Sequence, residues 1–199
     1  MCDVMIRMAT LEDAGAINKI YEKYIMETAV TFEYEPVPLE EFQGRMKRVL
    51  EKLPYLVCEI GEKIAGYAYV APFKSRAAFA WDLEITVYLH EDYYRRNIGS
   101  ALYHTLFEIC KRLGYVNIYA LITEPNENSK RMHETMGFKL VGMYPNTGYK
   151  LGQWWGLNVM CKQLTTTIGT PAPTRSIHDM SAKELEDILS HAQTQIRSE

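Results

Sequence analysis

A short basic stretch of the sequence offers the clearest chemistry. It follows an alternating, strand-like segment and runs into apolar residues at helical spacing, and it consists of Arg95, Arg96, Asn97, Ile98, Gly99 and Ser100. Such a junction attracts phosphate groups, because the first amides of a helix lack backbone acceptors and lie at the positive end of its dipole. Gly99 would let a phosphate approach the backbone closely, and Asn97 tolerates a positive φ better than most residues. The alternative is a solvated turn that only caps the helix.

The elements that must hold this stretch are visible in the hydrophobic periodicity. Apolar and polar residues alternate from Phe79 to Leu89, which predicts a strand with Glu84 on its polar face. An amphipathic helix is predicted to begin near Gly99 and to end at Gly114. The sequence thus predicts a strand, a basic loop and a helix in succession.

The rest of the chain alternates between short strands and amphipathic helices. Further strands are predicted at Val4–Met8, Tyr55–Ile60, Ile64–Val70, Asn117–Ile122, Phe138–Met143 and Leu157–Gln163. Other helices are predicted to begin near Leu11, around Phe42 and at Asn126. We therefore expect one α/β (α+β) domain over residues 1–164, a Thr/Pro-rich linker over 165–180, and an amphipathic helix over 181–199. This helix is expected to pack on the domain or to fray, and binding of a partner is the alternative.

The composition excludes several classes of function. The 199 residues carry a net charge of −3 and no long basic run, which argues against a nucleic-acid partner. No apolar run reaches the roughly 20 residues of a membrane span, and the first residues do not resemble a signal peptide. The cysteines lack metal-ligand spacing, so we expect reduced thiols, no metal and a cytoplasmic location. These cysteines are Cys2, Cys58, Cys110 and Cys161.

Four segments together resemble the GNAT superfamily of acetyl-CoA-dependent N-acetyltransferases. They are the strand Glu84–Leu89, the basic loop, Asn126 with Ser129, and the run from Met132 to Phe138. The phosphate loop of that superfamily has the pattern Gln/Arg-x-x-Gly-x-Gly/Ala, from which this chain departs at Tyr94 and Asn97. The resemblance implies a mixed, mostly antiparallel central sheet flanked by helices, with acetyl-CoA as the cosubstrate and no metal.

Further motifs are similar to the branch that acetylates phosphinothricin, methionine sulfoximine and methionine sulfone. They are Thr31-Phe32-Glu33, the stretch from Ala71 to Trp81, Val87-Tyr88-Leu89, and the stretch from Tyr149 to Trp154. The similarity runs from about Val4 to Leu164 and departs at Gly156, where the branch usually has an aspartate. It implies transfer of an acetyl group to the primary amine of a small amino-acid-like substrate, by a protein that forms a homodimer.

The resemblance also implies roles for individual residues. Glu84 would accept the proton of the amine, directly or through water, unless it is only a solvent-facing strand residue. The backbone near Val87 would stabilise an oxyanion, and His133 would either protonate the departing thiolate or order the site by hydrogen bonding. Acetyl-CoA would contact Val87, Tyr88, Leu89, Asn126 and residues 95–100 of the basic loop.

Five residues are candidates for binding the amine substrate: Phe32, Lys74, Arg76, Trp81 and Lys150. A cationic side chain suits a carboxylate or phosphinate, whereas the alternative for Lys74 and Arg76 is a solvated loop. Trp81 lies on the apolar face of its predicted strand, where core packing is the alternative. Other functions also stay open: a GNAT enzyme for an aminoglycoside, a polyamine or a protein N-terminus, or a non-catalytic acetyl-CoA sensor.

Overall fold

A seven-stranded sheet forms the centre of the molecule, which is described here by a computed structural model of residues 4–166 and 169–197. Its strands are β1 (Val4–Met8), β2 (Tyr55–Ile60), β3 (Lys63–Pro72), β4 (Asp82–Leu89), β5 (Asn117–Glu124), β6 (Lys139–Lys150) and β7 (Gln153–Gln163). They lie in the order β1-β2-β3-β4-β5-β7-β6, and every neighbouring pair is antiparallel except β4 and β5. The expected mixed, mostly antiparallel sheet is therefore confirmed.

Helices cover both faces of this sheet and divide the core into two parts. They are α1 (Ala14–Glu27), α2 (Leu39–Leu50), α3 (Ile98–Arg112), α4 (Glu127–Thr135) and α5 (Ala182–Gln193). One core includes Leu83 and Ile85 of β4 with Leu106 of α3, and the other joins α1 and α2 to Tyr67 of β3. Each fully buried aliphatic side chain contributes roughly 1.5–3 kcal/mol, so both helical layers are held mainly by apolar burial.

The sheet opens between β4 and β5, its one parallel pair. These strands are paired only at Asp82 with Asn117, Leu83 with Ile118, and Glu84 with Tyr119. Beyond Glu84, β4 continues to Leu89 without β5 as a neighbour. The Asn117 side chain donates a 2.9 Å hydrogen bond to the Asp82 carboxylate at the closed end. Because parallel neighbours need a crossover, α3 links the open end of β4 back to β5.

Some predicted boundaries differ from the structure. β4 begins at Asp82, and the predicted strand residues before it form a 3-10 turn at Ala77–Phe79. This turn satisfies its backbone locally, since Phe79 N–H donates to the Arg76 carbonyl at 2.9 Å. The alternation of Phe79 and Trp81 therefore reflects burial in a turn rather than a strand. β6 and β7 are longer than predicted and form a hairpin.

The described part of the predicted linker lies against the domain. Arg175 N–H donates to the Leu113 carbonyl, Ile177 N–H donates to the Lys52 carbonyl, and the Ile177 side chain is buried. The predicted capping box of Ser181 and Glu184 is present at the start of α5. Cys2, residues 167–168 of the linker and residues 198–199 of the tail lie outside the described residues. Of the cysteines within them, Cys58, Cys110 and Cys161 are free thiols.

Two further expectations concern a membrane-spanning helix and a metal site. No helix among residues 4–166 and 169–197 is both long and apolar enough to cross a membrane. Within the same ranges, no group of three or more His, Cys, Asp or Glu side chains is arranged to hold a metal ion.

Candidate active site

The basic loop and the start of α3 form a set of backbone donors. Asn97, the residue preceding α3, has φ 65° and ψ 11°, which confirms the left-handed conformation expected from its residue type. Arg95 also has a positive φ, 66°, which the sequence did not predict. In the described part of the chain, the N–H groups of Ile98, Gly99 and Ser100 have no backbone acceptor. A pyrophosphate could therefore accept hydrogen bonds from these amides.

Gly99 leaves these amides unshielded. A Cβ built on Gly99 would lie 3.6 Å from Leu89 Cδ1 and 3.9 Å from Val87 Cγ2, which are ordinary van der Waals distances. The protein itself would accommodate a methyl group there, so its own packing does not require glycine. The glycine instead keeps open the approach to the helix terminus. This geometry fits the phosphate groups of a nucleotide coenzyme.

Glu84 lies where the sheet opens. It is the last β4 residue paired with β5, and its side chain is half-buried. Burial raises its pKa above the usual 4.5, because a carboxylate loses water contacts there. Its carboxylate has no hydrogen-bond or ion-pair partner among the residues that the structure describes. A carboxylate that has a raised pKa and no partner of its own can act as a base and accept a proton from a ligand in the opening.

His133 forms a buried hydrogen-bonded chain with Tyr103. Its Nδ1 lies 2.8 Å from the Ser129 carbonyl, and its Nε2 lies 3.2 Å from the Tyr103 hydroxyl. Because a carbonyl only accepts, Nδ1 carries the proton, so Nε2 accepts from Tyr103. Burial lowers the pKa of His133, which keeps the ring neutral. With both nitrogens engaged, this geometry favours an ordering role over proton donation to a thiolate.

Tyr103 is the site residue that the sequence analysis missed. It lies on α3, is fully buried, and burial together with the nearby Glu84 carboxylate raises its pKa. Tyr103 thus links His133 of α4 to the neighbourhood of Glu84. One signal could have indicated it: a buried tyrosine hydroxyl requires a polar partner, and His133 was already a candidate site residue.

Residues 28–38 form a loop beside the opening. Thr123 of β5 donates a 2.6 Å hydrogen bond to the Ala29 carbonyl, and Lys150 Nζ donates a 2.7 Å hydrogen bond to the Thr31 carbonyl. The Phe32 ring lies directly on Gly148, where a Cβ would come within 2.4 Å of the ring. Lys150 is buried, so its ammonium holds this loop in the described structure. Phe32 is half-buried and packs on the β6–β7 hairpin.

The loop between β3 and β4 carries Lys74 and Arg76, and both side chains are exposed. Lys74 Nζ lies 5.2 Å from the ring centroids of Phe73 and Phe79. Phe73 stacks on Tyr119 with centroids 4.0 Å apart, and Tyr119 is the β5 partner of Glu84. This stacking fixes the root of the loop near the closed end of the opening.

Trp81 is engaged elsewhere. Its indole N–H donates a 2.7 Å hydrogen bond to the Ala172 carbonyl. We predicted Trp81 to contact substrate or core, and the structure instead uses it to hold the segment that follows β7. The reason is non-local, since residue 172 is far from Trp81 in the chain.

The remaining predicted coenzyme residues occupy the same strand–loop–helix unit or its surroundings. Val87, Tyr88 and Leu89 lie on the separated part of β4, and the Leu89 carbonyl accepts a 2.7 Å hydrogen bond from Tyr24. The Arg96 guanidinium lies over the Tyr93 ring at 5.3 Å. Asn126 precedes α4, and its side chain accepts a hydrogen bond from Ser129 N–H at 3.2 Å.

A sheet that opens beside a carboxylate, followed by a helix terminus suited to phosphate, defines a class of coenzyme-dependent group-transfer protein. The family model of the acetyltransferase (GNAT) domain matches residues 6–159. A phosphinothricin N-acetyltransferase of Streptomyces viridochromogenes is 33% identical over 178 residues, covering 89% of this chain and 95% of the relative. A methionine sulfoximine/methionine sulfone acetyltransferase of Salmonella typhimurium is 30% identical, covering 80% of this chain and 94% of the relative.

A solved structure agrees with these relatives. A GNAT phosphinothricin acetyltransferase from Sinorhizobium meliloti, crystallised with acetyl-CoA, has a TM-score of 0.82 and 28% identity, covering 85% of this chain and 93% of that one. This chain therefore belongs to the GNAT family and is an acetyltransferase.

Proposed function

We propose that this chain transfers the acetyl group of acetyl-CoA to the primary amine of a small amino-acid-like substrate of the phosphinothricin, methionine sulfoximine or methionine sulfone type. The observation that carries the proposal is the position of Glu84, whose free, half-buried carboxylate lies where β4 parts from β5. The same strand leads directly into the phosphate-binding start of α3. Base and coenzyme loop thus belong to one rigid unit.

Acetyl-CoA supplies an activated acyl thioester to this reaction. The amides of Ile98, Gly99 and Ser100 would hold its pyrophosphate, and Arg95 and Arg96 add positive charge. The separated segment Val87–Leu89 would lie along the rest of the coenzyme. Backbone N–H groups of β4 that point to the side left open by β5 can stabilise negative charge that develops on the carbonyl oxygen.

The amine must lose a proton before it attacks the thioester carbonyl. Alkyl amines have pKa values near 10, so most of the substrate arrives protonated at neutral pH. Glu84 would accept this proton, and its raised pKa brings it closer to the working pH, where a general base is most effective. His133 would hold Tyr103, and hence α3 and α4, in place next to the carboxylate.

Recognition of an acidic amino-acid-like substrate is supported by the charges on the β3–β4 loop. The ammonium of Lys74 lies over Phe73, which stacks on Tyr119 at the closed end of the opening, and Arg76 is exposed on the same loop. Both cations suit a carboxylate, phosphinate or sulfone oxygen. They disfavour the binding of a polyamine or an aminoglycoside, which would need acidic side chains. The activities after which the Streptomyces viridochromogenes and Salmonella typhimurium relatives are named agree with this class.

A thiol-release assay tests the proposal. Purified protein and acetyl-CoA are mixed with phosphinothricin, methionine sulfoximine, methionine sulfone, spermidine or kanamycin. Glu84→Gln should lower kcat on the order of 100-fold or more for the amino-acid analogues, because it removes the base but preserves shape. Glu62→Gln, an exposed carboxylate in the β2–β3 turn, is the matched control.

Two results would contradict parts of the proposal. Release with spermidine or kanamycin alone would overturn the substrate class but retain the acetyltransferase. Equal loss of activity in Glu62→Gln and Glu84→Gln would overturn the role of Glu84 as the base.

A homodimer and a cytoplasmic location are further parts of this proposal. β6 forms one edge of the sheet, and its side chains Leu140, Val141, Met143 and Tyr144 are each more than half exposed. A group of neighbouring exposed apolar side chains is typical of an association surface. Light scattering of the purified protein should give twice the 23.0 kDa chain mass. A mass of one chain at micromolar concentration would contradict the dimer.

A further inference from the structure

The residues that follow α5 reach the coenzyme loop. These are residues 194–197, referred to below as the 194–197 segment. They lie outside the residues matched by the family model, which end at 159. α5 holds it firmly, since Ile188 and Ala192 are buried in the core shared with α3. The Gln193 side chain also donates to the Ile6 carbonyl of β1. The position of the segment is therefore fixed by the main core.

Two hydrogen bonds connect this segment to the loop before α3. The side-chain amide of Asn97 donates to the Gln195 carbonyl at 2.8 Å, and Arg197 N–H donates to the Arg96 carbonyl at 3.1 Å. The Asn97 side chain makes no capping bond to its own helix. Its amide is directed to residue 195 instead.

The chemistry of these bonds leaves the anion-binding groups available. One uses a side-chain amide of the loop and the other uses a loop carbonyl, so neither occupies a loop N–H. The free amides of Ile98, Gly99 and Ser100 are not touched by either bond. The 194–197 segment thus supports the loop without taking the donors that a phosphate needs.

The loop requires such support because its backbone is strained. Arg95 and Asn97 both have a positive φ, and left-handed backbone is unfavourable for residues other than glycine. Glycine, which the superfamily pattern has at the position of Asn97, adopts this conformation without a penalty. Asparagine adopts this conformation more readily than most residues but less readily than glycine, and the hydrogen bond from its side chain to the Gln195 carbonyl stabilises it.

We propose that the 194–197 segment is a positioning element of the acetyl-CoA site, which holds the pyrophosphate loop in its binding conformation. This inference rests on the proposed function, because it assumes that the loop binds acetyl-CoA. The segment would raise affinity for the coenzyme by preorganising the loop and would leave the acetyl-transfer step unchanged.

Truncation after Gln193 provides the first test. It retains α5 and its core contacts, but it removes both bonds to the loop together with the packing of Ile196 on the core. Calorimetric titration should show about tenfold weaker acetyl-CoA binding, equivalent to about 1.4 kcal/mol. In steady-state assays, KM for acetyl-CoA should rise while kcat and KM for the amine stay the same. A general loss of structure would instead lower kcat and the melting temperature.

Single substitutions keep the test decisive if the truncated chain does not fold. Arg197→Pro removes the N–H that reaches Arg96, whereas Arg197→Ala removes only the side chain. We expect the proline variant to bind acetyl-CoA at least threefold more weakly than the alanine variant. In an Asn97→Gly background, truncation should weaken acetyl-CoA binding clearly less than it does in the native chain, because one of the two bonds is already absent.

The outcomes separate this inference from the proposed function. If the native chain fails to bind acetyl-CoA, the coenzyme assignment and the inference are both overturned. If native and truncated chains bind equally, or the truncated chain binds more tightly, only the role of the 194–197 segment is overturned.

Discussion

Replacement of Tyr103 by phenylalanine would isolate one hydrogen bond that ties α3 to α4. The Tyr103 hydroxyl is the donor to His133 Nε2, because the opposite ring nitrogen donates to the Ser129 carbonyl. Tyr103 and His133 are 2% and 3% exposed, so water cannot replace the missing donor without entering the core. Phenylalanine keeps the ring in place and creates almost no cavity.

The size of the effect follows from these facts. A buried acceptor that loses its donor costs about 1–3 kcal/mol. For a protein of this length, each kcal/mol lowers the melting temperature by about 2–4 °C. We therefore expect Tyr103→Phe to lower the free energy of unfolding by about 2 kcal/mol and the melting temperature by about 4–8 °C.

Urea unfolding followed by circular dichroism measures this effect, and two comparisons interpret it. Tyr67→Phe is the matched control, since Tyr67 is 1% exposed and its hydroxyl has no hydrogen-bond partner in the described ranges. In a His133→Leu background, Tyr103→Phe should cost at least 1 kcal/mol less, because leucine has no acceptor that could lose its donor. Equal costs in both backgrounds, or an equal cost for Tyr67→Phe, would refute the assigned hydrogen bond.

Two further predictions concern pH and the segment after β7. Because burial lowers the pKa of His133 below 6.5, the unfolded chain binds a proton that the folded chain does not. Stability should therefore fall as the pH drops below about 6.5, and His133→Leu should flatten that part of the urea midpoint profile; an unchanged slope would contradict this. Trp81→Phe removes the hydrogen bond to Ala172, so it should cost about 1 kcal/mol and speed proteolysis within residues 169–180. Unchanged cleavage there would show that this bond does not hold the segment.

Local patterns were sufficient for much of the fold. The stripes of α1, α2 and α3 have helical periodicity, and each helix is found where that periodicity occurs. The left-handed Asn97 was predictable because asparagine is prone to positive φ, whereas Arg95 was not because arginine has no such preference. Phe79 and Trp81 alternated like strand residues, but their burial comes from a turn and from residue 172, which no local pattern contains.

The sequence predicts only those residues of the candidate site whose role follows from their residue type alone. Glu84 and the helix terminus at Gly99 are recognisable, since carboxylates accept protons and helix termini attract anions. The contacts of Lys150 with Thr31 and of Tyr103 with His133 join distant parts of the chain. Such contacts depend on how the sheet is assembled, so residue types alone suggested substrate binding for Lys150 where the structure buries it.

The β1 edge of the sheet is protected from pairing with strands of other chains. β1 is one edge, and α5 lies against it, with the Gln193 side chain bonded to the Ile6 carbonyl. An uncovered edge strand can pair with a strand of another molecule and so begin aggregation. Detachment of α5 would expose both this edge and the apolar side chains beneath the helix. Loss of α5 should therefore reduce solubility through strand-to-strand aggregation, beyond its effect on stability.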